Sequence, residues 1–192
     1  MILSDRLIIR PPTFGDAKPL HDAINYSLPE LIKWMPWAFN PNLKTTEAFI
    51  ARGIEQWSSN TQTEFPLIIQ LKSSNQLIGA SGFNENSRLE VPMFEIGYWI
   101  ATKFSGHGYA TEAVNAITQL AFDRYQAARV QICAQVDNIK STALARRCGY
   151  KEEAVLKNFR IDCQTRKPCD EAIYACFSKE QLAFRTPIEY LG

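Results

Sequence analysis

The stretch Phe94 to Ala121, FEIGYWIATKFSGHGYATEAVNAITQLA, limits the possible folds more than any other, because its hydrophobic period changes within one continuous run. Phe94, Ile96, Tyr98 and Ile100 alternate with Glu95, Gly97 and Trp99, the pattern of a strand whose two faces meet different surroundings. After a turn, Ala110, Ala113, Val114, Ile117, Leu120 and Ala121 recur at three- and four-residue spacing and predict the apolar stripe of a helix. Between the two, Ser105-Gly106-His107-Gly108-Tyr109-Ala110 sets a pair of glycines where the helix begins. The first turn of a helix has N–H groups without intrahelical partners, and with the positive end of the dipole they suit a phosphate or pyrophosphate. A plain capped turn fits the same spacing. Two familiar phosphate motifs are set aside: Thr111 stands where the dinucleotide fingerprint has glycine or alanine, and no Gly-Lys-Ser/Thr follows as a P-loop needs.

With 192 residues, 46% hydrophobic and 21% charged, the chain can bury one core, and residues 1–192 are read as a single domain. A net charge of +1 without blocks of like charge argues against direct nucleic-acid binding. The N-terminus MILSDRLIIRPP places Asp5, Arg6 and Arg10 among its apolar residues, unlike a secretory signal, and no apolar run reaches membrane-spanning length. Cys133, Cys148, Cys163, Cys169 and Cys176 are odd in number and lack C-x-x-C spacing, so reduced thiols in a cytoplasm are the simplest reading. His21 and His107 are the only histidines, and no metal site is expected.

In chain order, Leu3 to Arg10 predicts a first strand stopped by Pro11-Pro12, and Ala17 to Tyr26 a helix. Trp34 and Trp37 flank Pro36 outside any clear period; they suit a pocket wall or a plugged helix–helix junction. Thr45 to Ser58 predicts a second helix with Thr45 or Thr46 as cap, and Phe65 to Leu71 with Gln76 to Phe83 a hairpin. Arg129 to Val136 reads as a strand, and Asp137 to Ser141 opens a helix that Gly149 ends. Tyr150 to Phe159 and Ala172 to Phe177 are closing strands, joined by the polar stretch Arg160 to Glu171. Strands in runs of two as well as alternating with helices indicate an α/β domain with a mixed sheet.

The glycine turn resembles motif A of the GNAT N-acetyltransferases, Q/R-x-x-G-x-G/A, with Ser105 where the family has Gln or Arg; Gly108 to Ala113, GYATEA, resembles the RimJ/RimL branch. Asn138-x-x-Ser141-x-x-Leu144-x-x-Arg147-x-Gly149-Tyr150 resembles motif B, and Glu95 to Trp99, Asp170-x-x-x-Tyr174 and the opening R-L-x-x-R-P extend the likeness from first strand to last. The resemblance implies a mixed, mostly antiparallel twisted sheet of about seven strands with helices on both faces, splayed where acetyl-CoA lies. It implies direct transfer of the acetyl group to a primary amine, most consistently the N-terminal α-amine of a ribosomal protein. A small amine (polyamine, amino acid or antibiotic), or CoA binding with little catalysis, is the alternative. Homodimers come with the resemblance alone.

For the cofactor, the resemblance assigns Ser105, Gly106, His107, Gly108, Tyr109, Ala110 and Thr111 to the pyrophosphate, and backbone groups of Trp99, Ile100 and Ala101 with Asn138 to the pantetheine. Arg147, beside Lys140 and Arg146, is the candidate for the ribose phosphate. Ala145 stands where many relatives carry a tyrosine acid, which leaves Ser141 as hydrogen-bond donor to the leaving thiolate or as a simple helix cap. Glu95 is the candidate base, with structural pairing as its other role, and Trp34 and Trp37 border the acceptor.

Overall fold

The computed structural model describes residues 1–59, 62 and 64–191. Among these lie strands β1 (Ile2–Leu3), β2 (Leu7–Arg10), β3 (Phe65–Leu71), β4 (Leu77–Phe83), β5 (Met93–Ile100), β6 (Arg129–Gln135), β7 (Lys151–Ile161), β8 (Pro168–Cys176) and β9 (Glu189–Tyr190). The helices are α1 (Ala17–Leu31), α2 (Leu43–Ser58), α3 (Tyr109–Tyr125) and α4 (Ile139–Arg147). The nine strands form one sheet in the order β7-β8-β6-β5-β4-β3-β2-β1-β9. All neighbours are antiparallel except β5 and β6. The count exceeds the expected seven because the first strand breaks at Ser4–Arg6 into two, and the tail adds a two-residue edge beside β1.

Strand alternation divides the core. Leu67 and Ile69 of β3 and Phe94 and Ile96 of β5 pack with Ala113, Val114 and Ile117 of α3 in the larger cluster, where the rings of Phe65, Phe83, Phe94 and Tyr125 meet at 4.7–6.1 Å. Ile68 and Ala80 face the other way, onto Leu20, Ile24 and Leu31 of α1 and Ile50 of α2. Helices thus cover both faces, and β5 is reached from each.

Local chemistry sets the element ends. Asn42 caps α2, accepting the Thr45 amide at 2.9 Å, so the helix starts earlier than the threonines indicated. Apolar side chains at Leu28 and Leu31 carry α1 past Tyr26, with Pro29 inside it. β7 and β8 extend through much of the stretch read as a polar connection, and their turn is confined to Asp162–Lys167, where the Asp162 carboxylate accepts the Gln164 and Thr165 amides.

Candidate active site

The parallel pair β5–β6 holds for only three residues, Met93↔Arg129, Phe94↔Val130 and Glu95↔Gln131. Beyond Glu95 the strands part. The opening becomes a cleft of about 1990 Å³ reached from both faces of the sheet, lined among others by Tyr98, Trp99, Ile100, Asn138, Ser141 and Arg147.

Alternation decides which backbone groups of β5 face this gap. The Ala101 amide donates to the Ile78 carbonyl at 2.7 Å, and the Glu95 carbonyl accepts the Asn84 amide at 3.0 Å. With Ala80↔Trp99 and Gly82↔Gly97 in the same register, Glu95, Gly97, Trp99 and Ala101 turn their peptide groups toward β4. Those of Ile96, Tyr98 and Ile100 therefore face the splay. This corrects the backbone assignment: of Trp99, Ile100 and Ala101, only Ile100 offers its amide to the cleft, and Tyr98 joins it. Ala101 is fully buried. Gly97 is not at a bulge; a Cβ there would meet only Asn84 Nδ2, at 3.9 Å, so its missing side chain leaves open floor. Gly97→Leu is expected to retain the fold, with Tm moved by less than about 3 °C, yet to fill that floor and cut acetyl transfer at least about tenfold in a thiol-release assay.

At the end of the gap, Gly106 and Gly108 have φ of +82° and +80°, a region that residues with a Cβ enter at a cost. No atom lies within 4 Å of a Cβ built at Gly106, so that glycine serves backbone conformation rather than space. The first helical bond of α3 runs from the Glu112 amide to the Gly108 carbonyl, 3.0 Å, which leaves the amides of Gly108, Tyr109, Ala110 and Thr111 without intrahelical partners. Ser105, Gly106, Gly108, Tyr109, Ala110 and Thr111 line the cleft. His107 does not: it is exposed, its Nδ1 lies 2.9 Å from the Ser105 carbonyl, and its ring stacks on Tyr109. The first strands hold this loop in place, a link not legible from motif spacing. Glu112, buried in the first turn of α3, accepts from Ser4 Oγ (2.8 Å), the Arg6 amide (2.8 Å) and Arg6 Nε (2.7 Å). Arg6 Nη1 donates to the His107 carbonyl at 2.9 Å while its guanidinium lies 4.5 Å from the centre of the Tyr109 ring.

Across the cleft, Asn138 caps α4, its Oδ1 accepting the Ser141 amide at 3.2 Å. Ser141 Oγ lies 2.8 Å from the hydroxyl of Tyr98, a residue that sequence spacing read only as an alternating strand position. A phenol on an otherwise apolar face was the available signal, since a buried tyrosine hydroxyl requires a partner. Of the basic candidates, Arg147 reaches Thr111 Oγ1 with Nε at 3.3 Å and lines the cleft. Arg146 instead pairs with Glu152 at 2.7 Å, and Lys140 with Glu30 at 2.8 Å.

Glu95, the candidate base, is paired on both carboxylate oxygens. Its Oε1 accepts from Asn84 Nδ2 (2.8 Å) and Asn86 Nδ2 (2.7 Å), and its Oε2 from Gln131 Nε2 (2.7 Å) and Cys133 Sγ (3.1 Å). Burial alone would raise its pKa, but these four donated bonds outweigh it and hold the carboxyl below the usual range. A carboxylate so satisfied has little tendency to take a proton. Burial, and then the Glu95 charge, push the Cys133 thiol well above its usual range, so it is a poor nucleophile. On the same face, the rings of Trp37 and Trp99 lie 6.2 Å apart and, with Trp34, form an aromatic wall; Trp37 is 50% exposed. Trp99 therefore belongs to this wall by its side chain. No group of histidine, cysteine and acidic residues fit for a metal exists among the described residues.

A short parallel pair that splays, with a glycine turn opening a helix at its mouth, can be set beside known proteins. The family described as Acetyltransferase (GNAT) domain matches residues 6–151, more than half of the chain. The chain belongs to the GNAT acetyltransferase family. YdaF of Bacillus subtilis (strain 168), a proposed ribosomal N-acetyltransferase, is 32% identical over 153 residues, covering 79% of this chain and 81% of YdaF. Among solved structures, the microcin self-immunity acetyltransferase MccE in complex with acetyl-CoA and AMP superposes with TM-score 0.81 at 29% identity, covering 91% and 93% of the two chains. RimL, a ribosomal alpha-N-protein acetyltransferase in complex with coenzyme A, gives TM-score 0.83 over 92% and 96%; at 21% identity it attests the fold. This GNAT chain is accordingly an acetyl-CoA-dependent N-acetyltransferase.

Proposed function

We propose that this GNAT enzyme transfers the acetyl group directly to the N-terminal α-amine of a protein, a ribosomal protein being the candidate its relatives suggest. The observation that carries the reading is Glu95, the buried carboxylate of the cleft floor, held ionised by four donors and so unsuited to strip a proton from a strongly basic amine. At a pH of about 7.5, an α-amine of pKa near 7.8 costs roughly 0.5 kcal/mol to deprotonate, against about 4 kcal/mol for a lysine. A site without a strong base suits the former. In this reading, acetyl-CoA enters from the α3 side with its pyrophosphate on the amides of Gly108 to Thr111 and Arg147 nearby. The arm lies along Tyr98 and Ile100, and an N–H there polarises the thioester carbonyl, a contribution of about 3 kcal/mol. The acceptor enters past Trp34 and Trp37. Ser141 donates a hydrogen bond to the departing sulfur.

Direct transfer agrees with the state of Cys133, whose thiol points at a carboxylate and is suppressed as a nucleophile. The free state of all five cysteines agrees with a cytoplasmic protein. A second reading, a small amine carrying a flat aromatic group, is favoured by the Trp37–Trp99 wall and by the AMP in the MccE complex.

Thiol release from acetyl-CoA, measured with N-terminal peptides, polyamines, aminoglycosides and aminoacyl nucleotides beside a calorimetric titration of CoA, separates the readings. Turnover is expected with the peptides, and Ser141→Ala is expected to lower kcat about tenfold to a hundredfold. Turnover confined to the small amines would establish the second reading. An acetyl group found on Cys133 by mass spectrometry would overturn direct transfer.

A further inference from the structure

Tyr98 occupies the β5 face that meets α3 and α4, and its hydroxyl reaches two oxygens of Ser141: Oγ at 2.8 Å and the main-chain carbonyl at 3.5 Å. Burial pushes the phenol up to about 12, the Ser141 bond offsetting part of the rise, so Tyr98 keeps its proton and must place it. Of its two acceptors, Oγ has good geometry, and the carbonyl lies at the limit of a bond. If the serine donated to the phenol instead, the phenolic hydrogen would have as protein acceptor only that distant carbonyl, a much poorer bond. With the phenol donating, the serine hydrogen is free to turn elsewhere, and Ser141 lines the cleft.

We infer that Tyr98 is the positioning residue for Ser141: its phenol donates to Ser141 Oγ and so aims the serine hydrogen at the sulfur of the bound thioester. The inference rests on the role of Ser141 proposed above. In the transfer, the amine nitrogen bonds to the acyl carbon, the carbon–sulfur bond breaks with its electron pair going to sulfur, and the surplus amine proton passes to solvent. Ser141 donates to the sulfur and Tyr98 to Ser141; neither loses its proton. Each donation polarises the next, so the phenol strengthens the serine as a donor. The titratable and charged groups acting on Tyr98 are Arg147 and Cys148 at the end of α4 and Tyr150 just beyond it; Cys148 and Tyr150 are themselves pushed up by burial and remain neutral. Asn138 holds the serine from the other side through its amide.

The test is the pKa of the thiol of bound CoA, read from thiolate absorbance in the ultraviolet, with affinity measured by calorimetry. In the unaltered enzyme, bound CoA is expected to ionise more readily than free CoA. Tyr98→Phe keeps the ring and removes the donor; the bound thiol is expected to rise by about one unit while CoA affinity near neutrality changes less than about threefold. In a Ser141→Ala background the same substitution is expected to add nothing. A fluorotyrosine placed at position 98, which retains the ring and the bond but is a stronger donor, is expected to shift the thiol the opposite way. An unchanged thiol in both Tyr98 variants, or an equal shift with and without the serine hydroxyl, overturns the inference. CoA that fails to bind the unaltered enzyme would overturn the proposed function first, a distinct result.

Discussion

Gly108→Val is expected to weaken CoA binding at least about a hundredfold in a calorimetric titration while α3 still forms, as judged by circular dichroism. Gly108 is the N-cap of α3 at φ +80°, ψ 1°, a left-handed conformation. A β-branched residue there costs at least about 1–2 kcal/mol and relaxes by leaving that region. Relaxation swings the following peptide, and the amides of Gly108 to Thr111 then no longer point to one place. The would-be Cβ also lies 3.4 Å from Arg6 Nη2, so the tether from the first strands shifts with it. Losing two or three aligned donors to an anion, at about 1.5–3 kcal/mol each for charged partners, accounts for a hundredfold with ease. Gly106→Ala is a graded control: φ is +82° there but the space is open, so a smaller loss is expected. Unchanged CoA affinity in Gly108→Val would remove the pyrophosphate from this turn.

Glu95→Gln is expected to destabilise the fold by about 2–3 kcal/mol, lowering Tm by roughly 5–10 °C, because an amide nitrogen then faces donors in a buried site. Relief by rotating Gln131 is blocked: its Oε1 accepts Arg129 Nε at 2.9 Å, and Arg129 is held by Glu153. The pH dependence follows in sign. The folded pKa of Glu95 lies below its unfolded value, so its contribution is complete above the unfolded value near 4.3–4.5 and disappears as pH falls through the lower, folded value. The mutant should therefore lose less stability than the parent on acidification through this range, while its deficit is largest at neutral pH. Urea denaturation at neutral pH and near pH 4 measures both. Equal deficits at the two values would mean that Glu95 is not the ionised anchor; a mutant with full stability but no turnover would return it to the role of base.

The strand, turn and helix from Phe94 onward were legible because each is dictated locally: alternation for β5, positive-φ glycines for the turn, an apolar stripe for α3. Motif spacing likewise placed Ser141 and Asn138 at the start of α4, since a cap acts within three residues. Tertiary structure decided what depends on neighbours. Which β5 amides face the gap followed from pairing with β4, and a one-residue change in that choice exchanges Trp99 and Ala101 for Tyr98 and Ile100. The structural pairing of Glu95 came from Asn84, Asn86, Gln131 and Cys133, which converge on one carboxylate from a loop and another strand. Tyr98 met Ser141, and Arg6 met Glu112, across 43 and 106 residues of chain. The sequence by itself determined the periodic elements and the family chemistry, because those are written in short-range spacing; the hydrogen-bond partners of buried polar groups were decided only when the sheet brought distant strands together.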